Sequence, residues 1–462
     1  MTQKPTKYDG LAIANPADLI FGQAPKPVCC GLGLEVGGGR VYPEINFTLP
    51  PMLVQPDTWG RVREIYERTL RDLLLRARAL GLEDLVVEFE HLPPMTAEPA
   101  WGVKLTESIK SHLAQAHHEW GLRSALRVTI VDLRDQEKPP QRRRGQAWKQ
   151  MAASLDACAA AGADILSIES TGGKEVHDAA LTRADVPGIV FALGVLAPRD
   201  MAWLWDRFVE VANRHNIIAG GDSACGFANT AMQLAEQKML PEVLPALVRA
   251  MSAARTLVAH ERGAVGPSKD CAYENPVIKA LTGCPISMEG RSATCAHLSP
   301  IGNIAAAAAD LWSNESVPDV PLLSGPAPVA SLESLAYDCR LFNAAHERGM
   351  ARELRDLHVA SDAGLSAQAA LLTPDATIAL ARAILSEEDP YRRTLAAARA
   401  AFEWLQRAVA EKRLRPAARE QRWFDRLRKA FDQLPDGAEK LADRVKDRYG
   451  DLFALAAYDL DF

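Results

Sequence analysis

The chain has 462 residues, 48% of them hydrophobic and 24% charged, with a formal net charge of −6. That length suits a barrel with an appended helical region better than one small domain. The mild negative balance argues against broad affinity for nucleic acid. The polar start MTQKPTKYDG and the lack of a roughly 18–20-residue apolar run argue against a signal or a membrane span, so a cytoplasmic protein is expected.

Taken in order, residues up to about 56 are rich in Gly and Pro, and 28–36 predicts a first strand entering a glycine-rich turn, VCCGLGLEVGGGR. No Lys-Ser/Thr pair and no helix follow, so tight backbone packing at a barrel mouth is expected rather than a phosphate cradle. A helix is expected over 56–80, stopped by Gly81. Strands then read at 84–90, which ends in Glu90–His91, and at 124–132, which ends in Asp132. A helix over 101–120 separates them, and a basic loop with Arg142, Arg143 and Arg144 precedes a helix over 146–161. That run reads as a solvated loop, or as a contact for an anionic partner. Strands follow at 163–169 and 187–195, with a helix over 199–214.

The stretch NIIAGGDSACG is the next strand end. Its apolar run stops at Gly220 and Gly221, and Asp222 and Cys225 stand where the amphipathic helix FANTAMQLAEQKML begins. Further strands are expected at 255–260 and 284–289, the latter entering a helical stretch over 296–312. Eight candidate strands alternating with helices predict a (β/α)8 TIM barrel rather than an open doubly wound sheet. Beyond the Pro-rich connector VPDVPLLSGPAPVA the pattern turns helical. The expected organisation is a barrel domain over 1–317 and a C-terminal helical region over 318–462 packed on it.

In such a barrel the carboxyl ends of the strands form the functional face. Glu90, His91, Asp132, Glu169, Asp222, Cys225, His260 and Cys271 all fall there by this reading. The eight cysteines include no CxxC pair, which favours reduced thiols and a metal site assembled from distant segments, if there is one. Glu169, Cys225 and Cys271 read either as a Cys2Glu zinc site with an open fourth position or as two buried thiols and a capping glutamate. Glu90–His91 reads as an acid–base pair or a satisfied polar pair. Asp132 and Asp222 read as substrate-orienting carboxylates or helix caps, His260 as structural, and the other cysteines as small buried residues.

The segments PADLIFGQAPKPVCCGLGLEVGGGRVYPEINF, VEFEHLPPM, ALRVTIVDLR, GADILSIESTGGKEV, LGVLAP, GGDSACGFANTAM, GPSKDCAYENP and CPISMEGRSATCAH carry a resemblance. The chain resembles the zinc-containing methyltransferase subunit of methanol:corrinoid methyltransferase systems along most of its length, more sparsely in the C-terminal helices. The resemblance implies a TIM barrel whose zinc ligands fall on Glu169, Cys225 and Cys271, with the methanol oxygen at the open position. It implies a separate corrinoid-binding protein over the barrel mouth, whose Co(I) takes the methyl group, and a dimeric core. An acid supplies a proton to the departing oxygen, with Glu90, Asp132 and Asp222 as the candidates. Two other readings stay open: a zinc barrel acting on another methoxy or methylated donor or a thiol acceptor, and a noncatalytic barrel subunit of a corrinoid complex.

Overall fold

The residues YPEINF, 42–47, are buried at every position. Burial on both faces is the mark of a strand inside a parallel sheet. The computed structural model describes residues 5–269, 271, 273–318, 320–322 and 325–460. An antiparallel hairpin, β1 (Gln23–Cys30) and β2 (Leu34–Gly38), precedes the sheet. The sheet strands are β3 (Tyr42–Phe47), β4 (Asp84–Glu90), β5 (Arg123–Ile130), β6 (Ile165–Ile168), β7 (Ile218–Asp222), β8 (Ser287–Glu289) and β9 (Leu311–Ser316). All are parallel, in the order β7-β6-β5-β4-β3-β9-β8. The result is a curled seven-stranded half-barrel among the described residues, wrapped by helices. Between its edges, Val265 and Gly266 donate to Ala219 and Gly220 of β7, and Ser268 bridges to Ile286, next to β8.

Residues two apart on a strand share a face. Register therefore stacks the inner face into layers. Tyr42, Val86, Ala125, Ile165 and Leu311 form an apolar floor with Cys30, Leu34 and Val36 of the hairpin. One step along each strand lie Glu44, Glu88, Arg127 and Ser167, all buried, with Arg127 Nε donating to Glu44 Oε1 at 2.6 Å and Nη1 to Ser167 Oγ at 2.8 Å. One further step brings Asn46, Glu90, Thr129 and, past β6, Glu169. The opposite face, with Ile45, Val87, Leu126, Val128, Leu166 and Ile168, packs into the main core.

Several expectations need correction. Residues 28–36 belong to the hairpin, not to the sheet, and the hairpin sits at the amino-terminal end of the strands rather than at a mouth. Gly31 shows why glycine is needed: at φ +53° its missing Cβ would lie 2.2 Å from the carbonyl oxygen of Ser124. Residues 187–195 are helical, within the continuous stretch Val186–His215. That stretch is long and apolar enough to cross a membrane by length and composition alone, but 83% of its most apolar part is buried inside the fold. Residues 255–260 lie in the helix Val243–Glu261, and the end of the helical stretch expected over 296–312 instead enters strand β9, Leu311–Ser316. The basic run is only partly solvated, since Arg144 is exposed while Arg142 and Arg143 have partners within the chain. Arg142 is buried and donates to Tyr458 Oη at 3.0 Å, and Arg143 pairs with Asp459. Helices predominate after Pro326, beginning with Ala327–Glu347, and Pro390–Ala410 packs on Val243–Glu261.

Candidate metal centre

Each ligand candidate stands where a strand gives way to a loop or helix. Glu169 is the residue after β6. Cys225 opens the helix Cys225–Glu236 three residues after β7. Cys271 follows the segment that bonds to β7. One ligand atom from each of the three lies within 4.8 Å of the others. Cys271 Sγ is 2.9 Å from Glu169 Oε1, and the sulfurs of Cys225 and Cys271 are in contact, with their Cα atoms 5.5 Å apart. Both cysteines are buried, while the Glu169 side chain stays 29% exposed. Two thiols and a carboxylate on one point, open on the carboxylate side, match the donor chemistry of a three-ligand zinc site. Ser223 Oγ lies 3.4 Å from Cys225 Sγ, placing a polar atom against that sulfur.

A cation stands beside this cluster. Lys269, whose side chain is 3% exposed, places Nζ 2.6 Å from Glu88, 3.2 Å from Glu90 and 3.8 Å from Glu169. Glu90 also accepts from Asn46 Nδ2 at 2.9 Å. Lys269 and Asn46 went unremarked in the sequence. Their signals were there: a lysine two residues before Cys271, and polar residues alternating through YPEINF.

The other carboxylates face elsewhere. Asp132 is chelated by Arg134 at 2.8 Å through Nε and Nη2, and it accepts from the amide and hydroxyl of Thr171. Burial alone would push the pKa of this carboxyl up, but the Arg134 guanidinium overrides that and holds it well below the usual carboxylate range. It is also the cap of the short turn Leu133–Asp135. Asp222 accepts from Trp205 Nε1 at 3.0 Å, Ser170 N at 3.2 Å and Arg255 Nη2 at 3.2 Å. His91 is buried, with Nδ1 3.1 Å from Thr96 Oγ1, and burial lowers it to about 3. His260 lies on a helix rather than at a strand end, bonded through Nδ1 to the Ala264 carbonyl, and burial lowers it to about 4. Of the remaining cysteines, 30, 158, 284 and 339 are buried, whereas Cys29 and Cys295 are exposed, contrary to expectation.

Residues 5–459 match the family of the methanol-cobalamin methyltransferase B subunit. The chain belongs to that family. It is 36% identical over 447 residues to the methanol–corrinoid protein co-methyltransferase of Methanosarcina barkeri, covering 96% of each chain. Its fold is similar to that in the crystal structure of the methanol:cobalamin methyltransferase complex MtaBC from Methanosarcina barkeri. The TM-score is 0.94 at 35% identity, over 98% of this chain and all of that one. This B-subunit relative is thus a methyltransferase, and its three converging ligand candidates sit on a fold shared over 98% of its length.

Proposed function

We propose that Glu169, Cys225 and Cys271 hold zinc, and that the chain transfers the methyl group of methanol to a corrinoid carried by a partner protein. What carries the reading is two thiols and a carboxylate from three separate segments meeting within 4.8 Å in a member of this family. When bound, zinc supplies a Lewis acid for the negative charge that grows on the donor oxygen as its bond to carbon breaks.

The chain's own residues supply the rest. Methanol, the reduced cobalt and one proton become a methylated cobalt and water, so the departing oxygen needs a proton donor. Among Glu90, Asp132 and Asp222, Glu90 fits best, because Lys269 ties it to the same end of the sheet as Glu169. Asp132 and Asp222 act instead as positioning groups, holding Thr171 and Ser170 just after Glu169. The partner docks over the carboxyl ends of the strands and keeps water from the cobalt.

The test is zinc content together with methanol-dependent methylation of cob(I)alamin, in the wild type and in Cys225→Ala. Stoichiometric zinc and turnover, both lost in the variant, are the expected result. Zinc without methanol turnover would move the donor to another methoxy or methylated compound, and no zinc in either protein would end the metal reading.

The bonds from 265–268 to β7 and to the residue before β8 support an eighth, irregular strand and hence a closed (β/α)8 barrel over 1–317, with 318–462 as a helical region packed on it. The family resemblance supports self-association of this core, which light scattering of the purified protein tests. The demand for thiolate ligands and strongly reduced cobalt supports a cytoplasmic setting.

A further inference from the structure

The two cysteines lie 46 residues apart in sequence, and among the described residues the backbone bonds between the segments leading to them, Val265 to Ala219 and Gly266 to Gly220, stop short of both thiols. Something must hold the two thiol-bearing loops in register. Glu274 stands three residues after Cys271, is 1% exposed, and through Oε1 accepts from the amide of Ala224 at 2.9 Å. Ala224 immediately precedes Cys225, and no side chain of its own helix caps that end. The same Oε1 accepts from Thr256 Oγ1 at 2.9 Å, on the buried helix Val243–Glu261.

We propose that Glu274, anchored by Thr256, is a positioning residue that clasps the Cys225 loop to the Cys271 loop and so sets the spacing of the two thiolates. The inference rests on the zinc-site reading and adds to it the group that builds the site. The neighbouring residue on the same helix, Arg255, completes the arrangement. Its Nη2 donates to Ser170 O at 2.8 Å and to Asp222 Oδ1 at 3.2 Å, fixing the loop of the third ligand, Glu169. One turn of one helix therefore serves as the common reference for all three ligand loops.

Two changes separate geometry from charge. Glu274→Gln keeps the oxygen that Ala224 and Thr256 bond, and Glu274→Ala removes it. Zinc affinity is measured by competition with a chromogenic chelator, and in the metal-free protein the Cys225–Cys271 dithiol–disulfide equilibrium is titrated against dithiothreitol. The Cα spacing lies within disulfide range, so the second readout reports thiol spacing without metal. Glu274→Ala is expected to lose about 10–100-fold in zinc affinity, the usual cost of removing a group that orients ligands, and to form the disulfide less readily. Glu274→Gln should stay near wild type in both. Thr256→Val, which leaves the clasp in place but unanchored, should fall between them and carries the test if Glu274→Ala does not fold. Wild-type zinc affinity and disulfide equilibrium in Glu274→Ala overturn the proposal, as do equal losses in Ala and Gln. If the wild type itself binds no zinc, the metal reading fails, and the disulfide equilibrium alone decides for or against the clasp.

Discussion

At the scale of single residues, the inner face of the sheet is where a small change costs most. Arg127 and Glu44 are buried opposite charges held at 2.6 Å, with Ser167 and the Pro267 carbonyl taking the rest of the guanidinium. Removing one partner leaves a charge in low dielectric, which costs more than the pair contributes. Glu44→Ala is expected to lower unfolding free energy by about 3–5 kcal/mol, measured by urea denaturation. The buried histidines impose a pH dependence of definite sign. His91 and His260 stay neutral in the folded chain, lowered by burial from an ordinary 6.5 to about 3 and about 4. The unfolded chain binds those protons first. Their contribution to stability is therefore complete above pH 6.5, is lost as pH falls from there, and is gone below the folded values. Between pH 7.5 and 5 each should cost about 2 kcal/mol. Urea midpoints at the two pH values check this, and His91→Gln should flatten part of the slope.

At the scale of elements, the C-terminal Tyr458 ties together loops that follow two strands. Its hydroxyl accepts from Arg142 Nε at 3.0 Å and from the Gly173 amide at 2.9 Å, and it donates to Glu175. Tyr458→Phe strands these partners in a buried place and should cost about 1–3 kcal/mol, again by urea denaturation. Elements are also where sequence reading succeeded and failed for physical reasons. DLVVEFE, ADILSIE and NIIAGGD were legible because apolar runs bounded by turn residues allow little else, and β4, β6 and β7 lie within them. Residues 187–195 and 255–260 are equally apolar but lie inside buried helices, and short apolar runs do not reveal which period they follow. β3 and β9 were hidden by the reverse effect. Glu44, Asn46, Ser313 and Asn314 put polar groups into buried strands, where their partners lie far along the chain. For the ligand candidates, spacing left a metal site and two buried thiols with a capping glutamate both open, and the family resemblance singled the set out. Glu169, Cys225 and Cys271 stand out as chemistry at strand ends, whereas Glu274 and Arg255 acquire meaning only through the atoms they touch.

At the scale of the whole molecule, the layering of the inner face decides how matter moves. The hairpin and the apolar floor seal one end, and the ionic layer of Glu44, Glu88 and Arg127 lies above it. If the sheet closes as proposed, one door remains, on the side where the Glu169 side chain is 29% exposed. Under the proposed reaction, a small alcohol and a bulky partner protein use that door in turn. The alcohol must be seated before the partner arrives, and the water it becomes must wait for the partner to leave. A partner that arrives first bars the way, so methylation rates should pass through a maximum and then fall as the corrinoid protein is raised at low methanol, and excess methanol should relieve the fall. Steady-state titration of the partner at two methanol concentrations checks this. A site reached from both ends would show simple saturation.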